Sequence, residues 1–284
     1  MACSDRSSPV KNMKRSIVTM AIAGTLIASA FAARLAAQTK PADTANPPAK
    51  AALPRTADGH PDLSGVWWRG EDIGGRNGAA LGGPRRGRGA GEPPPTFASL
   101  YQPSAQAKAK TLRDRDDPSL GCVPTAFGTL SVSLFDVGAV GQIVQTPKFV
   151  IMLTETYHGF QIIPIDGRPH RDDQPPSYRG DAVAHWDGDT LVVDKTNFTD
   201  NTWISAEGRV SFHSDALHMV ERYHRTDANT LEIEATLEDP KVLTKPWVVP
   251  KQTLQLAPFD QILQLDCAPG DVKGLIESVQ TPKN

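Results

Sequence analysis

Ala182-Val183-Ala184-His185-Trp186-Asp187-Gly188-Asp189-Thr190-Leu191-Val192-Val193 holds two short apolar and β-branched runs joined by an Asp-Gly step. Asp-Gly suits tight turns that need positive φ, so 182–186 and 190–196 predict a β-hairpin. The same grammar repeats outward. Phe149 to Thr156 and Phe160 to Ile165 flank Tyr157-His158-Gly159. Leu217 to His224 and Leu231 to Leu237 flank Thr226-Asp227-Ala228-Asn229. Thr253 to Leu256 and Ile262 to Cys267 flank Pro258-Phe259-Asp260. With a strand entering at Gly65-Val66-Trp67-Trp68, these hairpins predict a mostly all-β chain folded as an antiparallel up-and-down β-barrel. A β-sandwich is the alternative, since both arrangements protect sheet edges.

Alternation supports this reading. Leu231, Ile233, Ala235 and Leu237 fall on one face of a strand, and Glu232, Glu234, Thr236 and Glu238 on the other. Side chains alternate across a strand, so one face is core and the other solvent. Leu263, Leu265 and Cys267 also share a face, which predicts Cys267 on the core side.

The N-terminus reads as an address. Lys14 and Arg15 precede a nearly unbroken apolar run from Ile17 to Ala33. Ala30-Phe31-Ala32, or Leu35-Ala36-Ala37 before Gln38, supplies a small-residue cleavage site. This is the pattern of a secretory signal, so residues 1–37 are expected to be removed. The mature chain is then periplasmic or secreted, with no stable membrane insertion. Of 30 basic and 32 acidic side chains, five and one lie in residues 1–37; the rest carry 25 and 31, net −6. A mildly acidic body argues against nucleic acid as a partner, because that role needs clustered positive charge.

Two cysteines remain after cleavage, Cys122 and Cys267. Two thiols in an oxidising compartment commonly pair, so a disulfide is expected, with two buried free thiols as the alternative. Such a bridge closes about 145 residues, constraining the unfolded chain by roughly 4–5 kcal/mol in the entropy picture.

Residues 38–53 are rich in Ala, Pro and Thr and read as a flexible tether, followed by the first strand of the β domain within 54–68. Residues 69–97 form a Gly/Arg/Pro insertion expected to be disordered. It carries Arg85, Arg86 and Arg88 but too few apolar groups to fold alone. The remainder of the β domain spans 98–284. Within it 98–116 has helical composition, stopped by Pro118.

Several phrases resemble a group of uncharacterised secreted bacterial proteins frequent in acidobacterial genomes. They include Arg55-Thr56-Ala57-Asp58-Gly59, Asp62-Leu63-Ser64-Gly65-Val66-Trp67, Ile143-Val144-Gln145-Thr146-Pro147 and Asp166-Gly167-Arg168-Pro169-His170. Trp186-Asp187-Gly188-Asp189-Thr190-Leu191-Val192-Val193, His213-Ser214-Asp215-Ala216-Leu217-His218, Glu221-Arg222-Tyr223, Asp239-Pro240 and Lys245-Pro246-Trp247 complete the set. The resemblance implies export and fold and supplies no mechanism. Gly65-Val66-Trp67 is also similar to the first-strand motif of lipocalin-type barrels.

Of seven histidines, His213, His218 and His224 lie in the densest polar cluster. His218, Val220, Arg222 and His224 alternate with Met219, Glu221 and Tyr223, so both strand faces carry ionisable groups. A barrel lumen holding a polar group explains that departure. The catalytic candidates are His218, Glu221 and His213, as an acid–base set for a hydrolase, lyase or isomerase. The ligand-binding candidates are Arg222, His185, Trp186, Trp247 and Tyr223. Trp203 is the tryptophan expected to be most exposed. The His213-x4-His218 spacing matches no familiar zinc pattern, and no metal or cofactor is called for. The leading expectation is a barrel that binds a small apolar molecule; a periplasmic enzyme is the alternative. Oligomeric state is open.

Overall fold

The computed structural model describes residues 52–68, 95–127, 140–155, 159–204 and 210–263. The proposed signal, the tether up to residue 51, most of the Gly/Arg insertion, His158 and Cys267 lie outside them.

The strands are β1 (Gly65–Trp68), β2 (Gly141–Gln145), β3 (Phe149–Thr154), β4 (Phe160–Pro164) and β5 (Asp181–Asp187). They continue as β6 (Thr190–Thr196), β7 (His218–Asp227), β8 (Thr230–Glu238), β9 (Trp247–Val248) and β10 (Gln252–Leu256). Nine form one path, β4-β3-β2-β1-β10-β8-β7-β6-β5, and β9 adds to β8. Each ladder along the path is antiparallel. The order is an up-and-down meander curled until β4 and β5 touch. The chain is therefore mostly β and nearly closed into a barrel, as expected.

Among the described residues nine strands alternate in direction along the path, so its first and last, β4 and β5, run the same way and no antiparallel ladder joins them. The link 165–180 must return the chain along the barrel. At this seam the Gln161 side chain donates to the carbonyls of Arg179 (3.1 Å) and Gly180 (3.4 Å).

Alternate residues fill the inside. β1 to β4 contribute Trp67, Ile143, Val150, Met152 and Ile163; β5 to β8 contribute Ala184, Leu191, Val193, Met219, Ile233 and Leu237. Around the turn end of the β5–β6 hairpin, Arg55 pairs with Asp189 (2.6 Å) and His60 stacks on Trp186 at 4.6 Å. Gly188 takes the positive φ of 59° that the Asp-Gly turn requires. At the other end a short helix α1 (Pro103–Ala109) and irregular segments pack as a plug. Phe97 meets Tyr101 and Trp247 edge-on, and the Tyr101 hydroxyl donates to the Phe212 carbonyl (2.8 Å).

Four expectations are corrected. β10 pairs with β1 and β8 rather than in the predicted hairpin with 262–267; of that segment residues 262 and 263 are irregular, with Leu263 69% exposed, and 264–267 lie outside the described residues. Helix α1 covers only Pro103–Ala109 of 98–116. Phe97 is buried in the plug, so the insertion ends before it. Trp203 is buried too, held by a bridge to Phe212.

Candidate functional site

The inside of the barrel has a charged centre. Lys195 on β6 is in phase with Leu191 and Val193, and Glu221 and Tyr223 on β7 are in phase with Met219, so all point inward. Lys195 lies opposite Met219 and Val193 opposite Glu221, which makes Lys195 and Glu221 diagonal neighbours on the inner face. Lys195 Nζ is 2.7 Å from Glu221 Oε2, both residues fully sequestered at 0% and 1% side-chain exposure. The Tyr223 hydroxyl donates to the same Oε2 at 2.9 Å. Burial pulls the Lys195 ammonium pKa down against the opposing pull of Glu221. Burial, then the adjacent carboxylate, pushes the Tyr223 phenol well up, so it stays a donor.

Glu221 Oε1 is buried and accepts no hydrogen bond among the described residues. A buried acceptor left bare costs roughly 1–3 kcal/mol, more when charged. In natural interiors such a group nearly always has a partner, from protein or ordered water.

A cleft of about 250 Å³ opens at the seam. Phe149, Ile162 and Pro164 line its rim, Arg168, Arg171, Gln174 and Asp181 add charged and polar groups, and Gln161 and Ala182, in core phase on their strands, form its inner wall. Ala182 is directly cross-strand from Lys195, so the inner wall stands one strand pair from the buried ammonium.

The link is pinned to the barrel by a polar clasp. His170 Nδ1 lies 2.8 Å from Asp181 Oδ2, and its Nε2 lies 2.8 Å from Asp194 Oδ1. His218 Nε2 reaches Asp194 Oδ2 at 3.1 Å from the far side. Two carboxylates on two ring nitrogens require both nitrogens to donate, which is the imidazolium form. Partial burial opposes the charge, and hydrogen bonds to Asp194 and Asp181 outweigh it, so the His170 pKa is raised.

The catalytic candidates do not meet. His218 and Glu221 are three residues apart on one strand and so project from opposite faces: His218 to Asp194 outside, Glu221 to Lys195 inside. His213 is buried in the plug, edge-on to Phe198, with Nδ1 bonded to the Ser214 carbonyl (2.9 Å); burial lowers its pKa. The expected His/Glu acid–base pair is not assembled.

Of the ligand-binding candidates, Tyr223 lines the interior centre. Arg222 faces outward and pairs with Asp187 (2.7 Å), and His185 is exposed. Trp186 stacks on His60, and Trp247 Nε1 donates to the Pro95 carbonyl (2.8 Å) in the plug.

Lys195 is the residue sequence reasoning missed. Its signal was available: in Thr190-Leu191-Val192-Val193-Asp194-Lys195-Thr196 it shares parity with Leu191 and Val193. A lysine in core phase one strand from a glutamate in core phase marks an internal pair.

No helix among the described residues is long and apolar enough to cross a membrane. Among the same residues no group of three His, Cys, Asp or Glu is arranged to hold a metal ion. Compared with known proteins, the chain matches no family model, no curated protein and no solved structure.

Proposed function

We propose that this protein is a small-molecule-binding β-barrel that takes a largely apolar ligand through the seam between β4 and β5. One observation carries the reading: Glu221 Oε1 is a buried, bare acceptor beside Lys195, on an inner face that also carries Leu191, Val193 and Met219. Binding sites for small molecules combine apolar lining with a few placed polar groups. The seam cleft supplies the mouth, with apolar side chains at its rim and Ala182 leading toward Lys195.

The enzyme alternative built on His218, His213 and Glu221 loses its basis because those groups do not converge. The reading also places the mature chain outside the cytoplasm, freed of residues 1–37, with Cys122 and Cys267 joined. The intact mass of protein purified from the cell envelope checks both points. A chain starting at or before Gln38 and lighter by two hydrogens than its reduced form is expected.

The test of binding uses N-phenylnaphthylamine as a fluorescent apolar probe. Saturable one-site binding is expected, displaced by alkyl compounds, with a rise in melting temperature. At a hundredfold excess over Kd the gain is about 2.7 kcal/mol. A linear, unsaturable signal with no thermal shift across a broad ligand panel contradicts the proposal.

A further inference from the structure

Resting on that binding reading, we propose that the interior centre selects a ligand with a neutral hydroxyl head, which donates its O–H to Glu221 Oε1. Glu221 Oε2 is already occupied by Lys195 Nζ (2.7 Å) and the Tyr223 hydroxyl (2.9 Å). Oε1 is buried and bare. A carboxylate oxygen only accepts, so whatever meets it must donate. That excludes ethers, ketones and ionised acids as its partner.

The charge around the carboxylate narrows the choice. Lys195 neutralises Glu221, and Arg179 of the link lies near enough to bear on Lys195 electrostatically while reaching Thr154 Oγ1 at 3.4 Å. An ammonium head would add a third cation to one carboxylate. A hydroxyl donates once and accepts twice, so it serves Oε1 and turns its lone pairs toward the cations. The apolar body then runs past Ala182, which lines the seam cleft, and leaves by Ile162 and Phe149.

Four probes of similar shape separate the possibilities: decan-1-ol, decyl methyl ether, decanoate and decylamine. They are titrated calorimetrically into the full mature chain at neutral pH. Decan-1-ol is expected to bind at least about tenfold more tightly than the ether, which lacks only the donor; that is the range of one hydrogen bond to a charged group. It is also expected to exceed decanoate and decylamine. The double variant Lys195→Met/Glu221→Leu replaces the pair by apolar groups, and there the alcohol and the ether should agree within about twofold. Should that variant fail to fold, the wild-type series still decides. An ether as tight as the alcohol, or either charged probe binding tightest, overturns the hydroxyl assignment and leaves the binding reading standing. Absence of binding by all four overturns both.

Discussion

The two meanders of the barrel, β1–β4 and β5–β8, turn opposite surfaces outward. On the first, Val144 lies opposite Ile151, Ile151 opposite Ile162, and Leu153 opposite Phe160. Phe160 and Ile162 are 63% and 53% exposed. On the second, Arg222 pairs with Asp187 (2.7 Å), and Lys251 of the adjoining β10 flank spans Glu232 (2.9 Å) and Glu234 (2.8 Å). The contrast continues inside. The β5–β8 half carries Lys195, Glu221 and Tyr223, while the β1–β4 half is lined mainly by Trp67, Ile143, Val150, Met152 and Ile163. The charged half is therefore a water-facing wall that also holds the polar centre. The apolar half flanks the open seam, and contiguous exposed apolar side chains mark sites of interaction.

The largest test breaks the inner contrast. Lys195→Met leaves Glu221 buried and unpaired and is expected to cost about 3–5 kcal/mol in urea unfolding. Adding Glu221→Leu should restore most of that loss, because replacing a buried pair by apolar groups is often neutral or stabilising. Met152→Ala in the other half should cost about 2–5 kcal/mol through its cavity, with no rescue from a polar partner. If Lys195→Met is silent, the pair does not hold the interior.

A smaller effect probes the clasp at the seam. The His170 pKa lies above its ordinary 6.5. Its contribution is therefore complete below about pH 6.5 and is lost as pH rises through the higher folded-state value. Asp181, Asp194, His218, Glu238 and the Arg171 backbone surround this site. His170 is partly exposed, so solvent screening holds the effect to about 1 kcal/mol or less. Melting temperature from pH 6 to 8 should fall more for the wild type than for His170→Gln. A parallel pH profile for the two contradicts the clasp.

The smallest change lies on the outer face. Phe160→Thr and Ile162→Thr should alter stability by no more than about 0.5 kcal/mol, and only Ile162→Thr, at the rim of the seam cleft, should weaken binding of an apolar dye. Arg222→Ala on the charged wall should leave dye binding unchanged.

The fold was legible where turn chemistry and alternation agreed. Asp187-Gly188-Asp189 marked β5–β6, and Leu231 to Leu237 marked β8 with its inner face. Gly141-Gln142-Ile143-Val144-Gln145 is short and half polar, so it carries little strand signal of its own; pairing with the distant β1 and the adjacent β3 makes it a strand. The site was less legible. β7 carries ionisable groups on both faces, so its phase cannot be assigned alone. Glu221 turns inward because Lys195, on the neighbouring strand, neutralises it there. That information sits in two segments whose register only the folded sheet reveals.

The most direct measurement follows backbone amide chemical shifts as decan-1-ol is added to the mature protein. The account predicts the largest changes around Ala182, Lys195 and Glu221, next to the seam. Changes confined to Phe160, Ile162 and their outward-facing neighbours, or none at all, would contradict it.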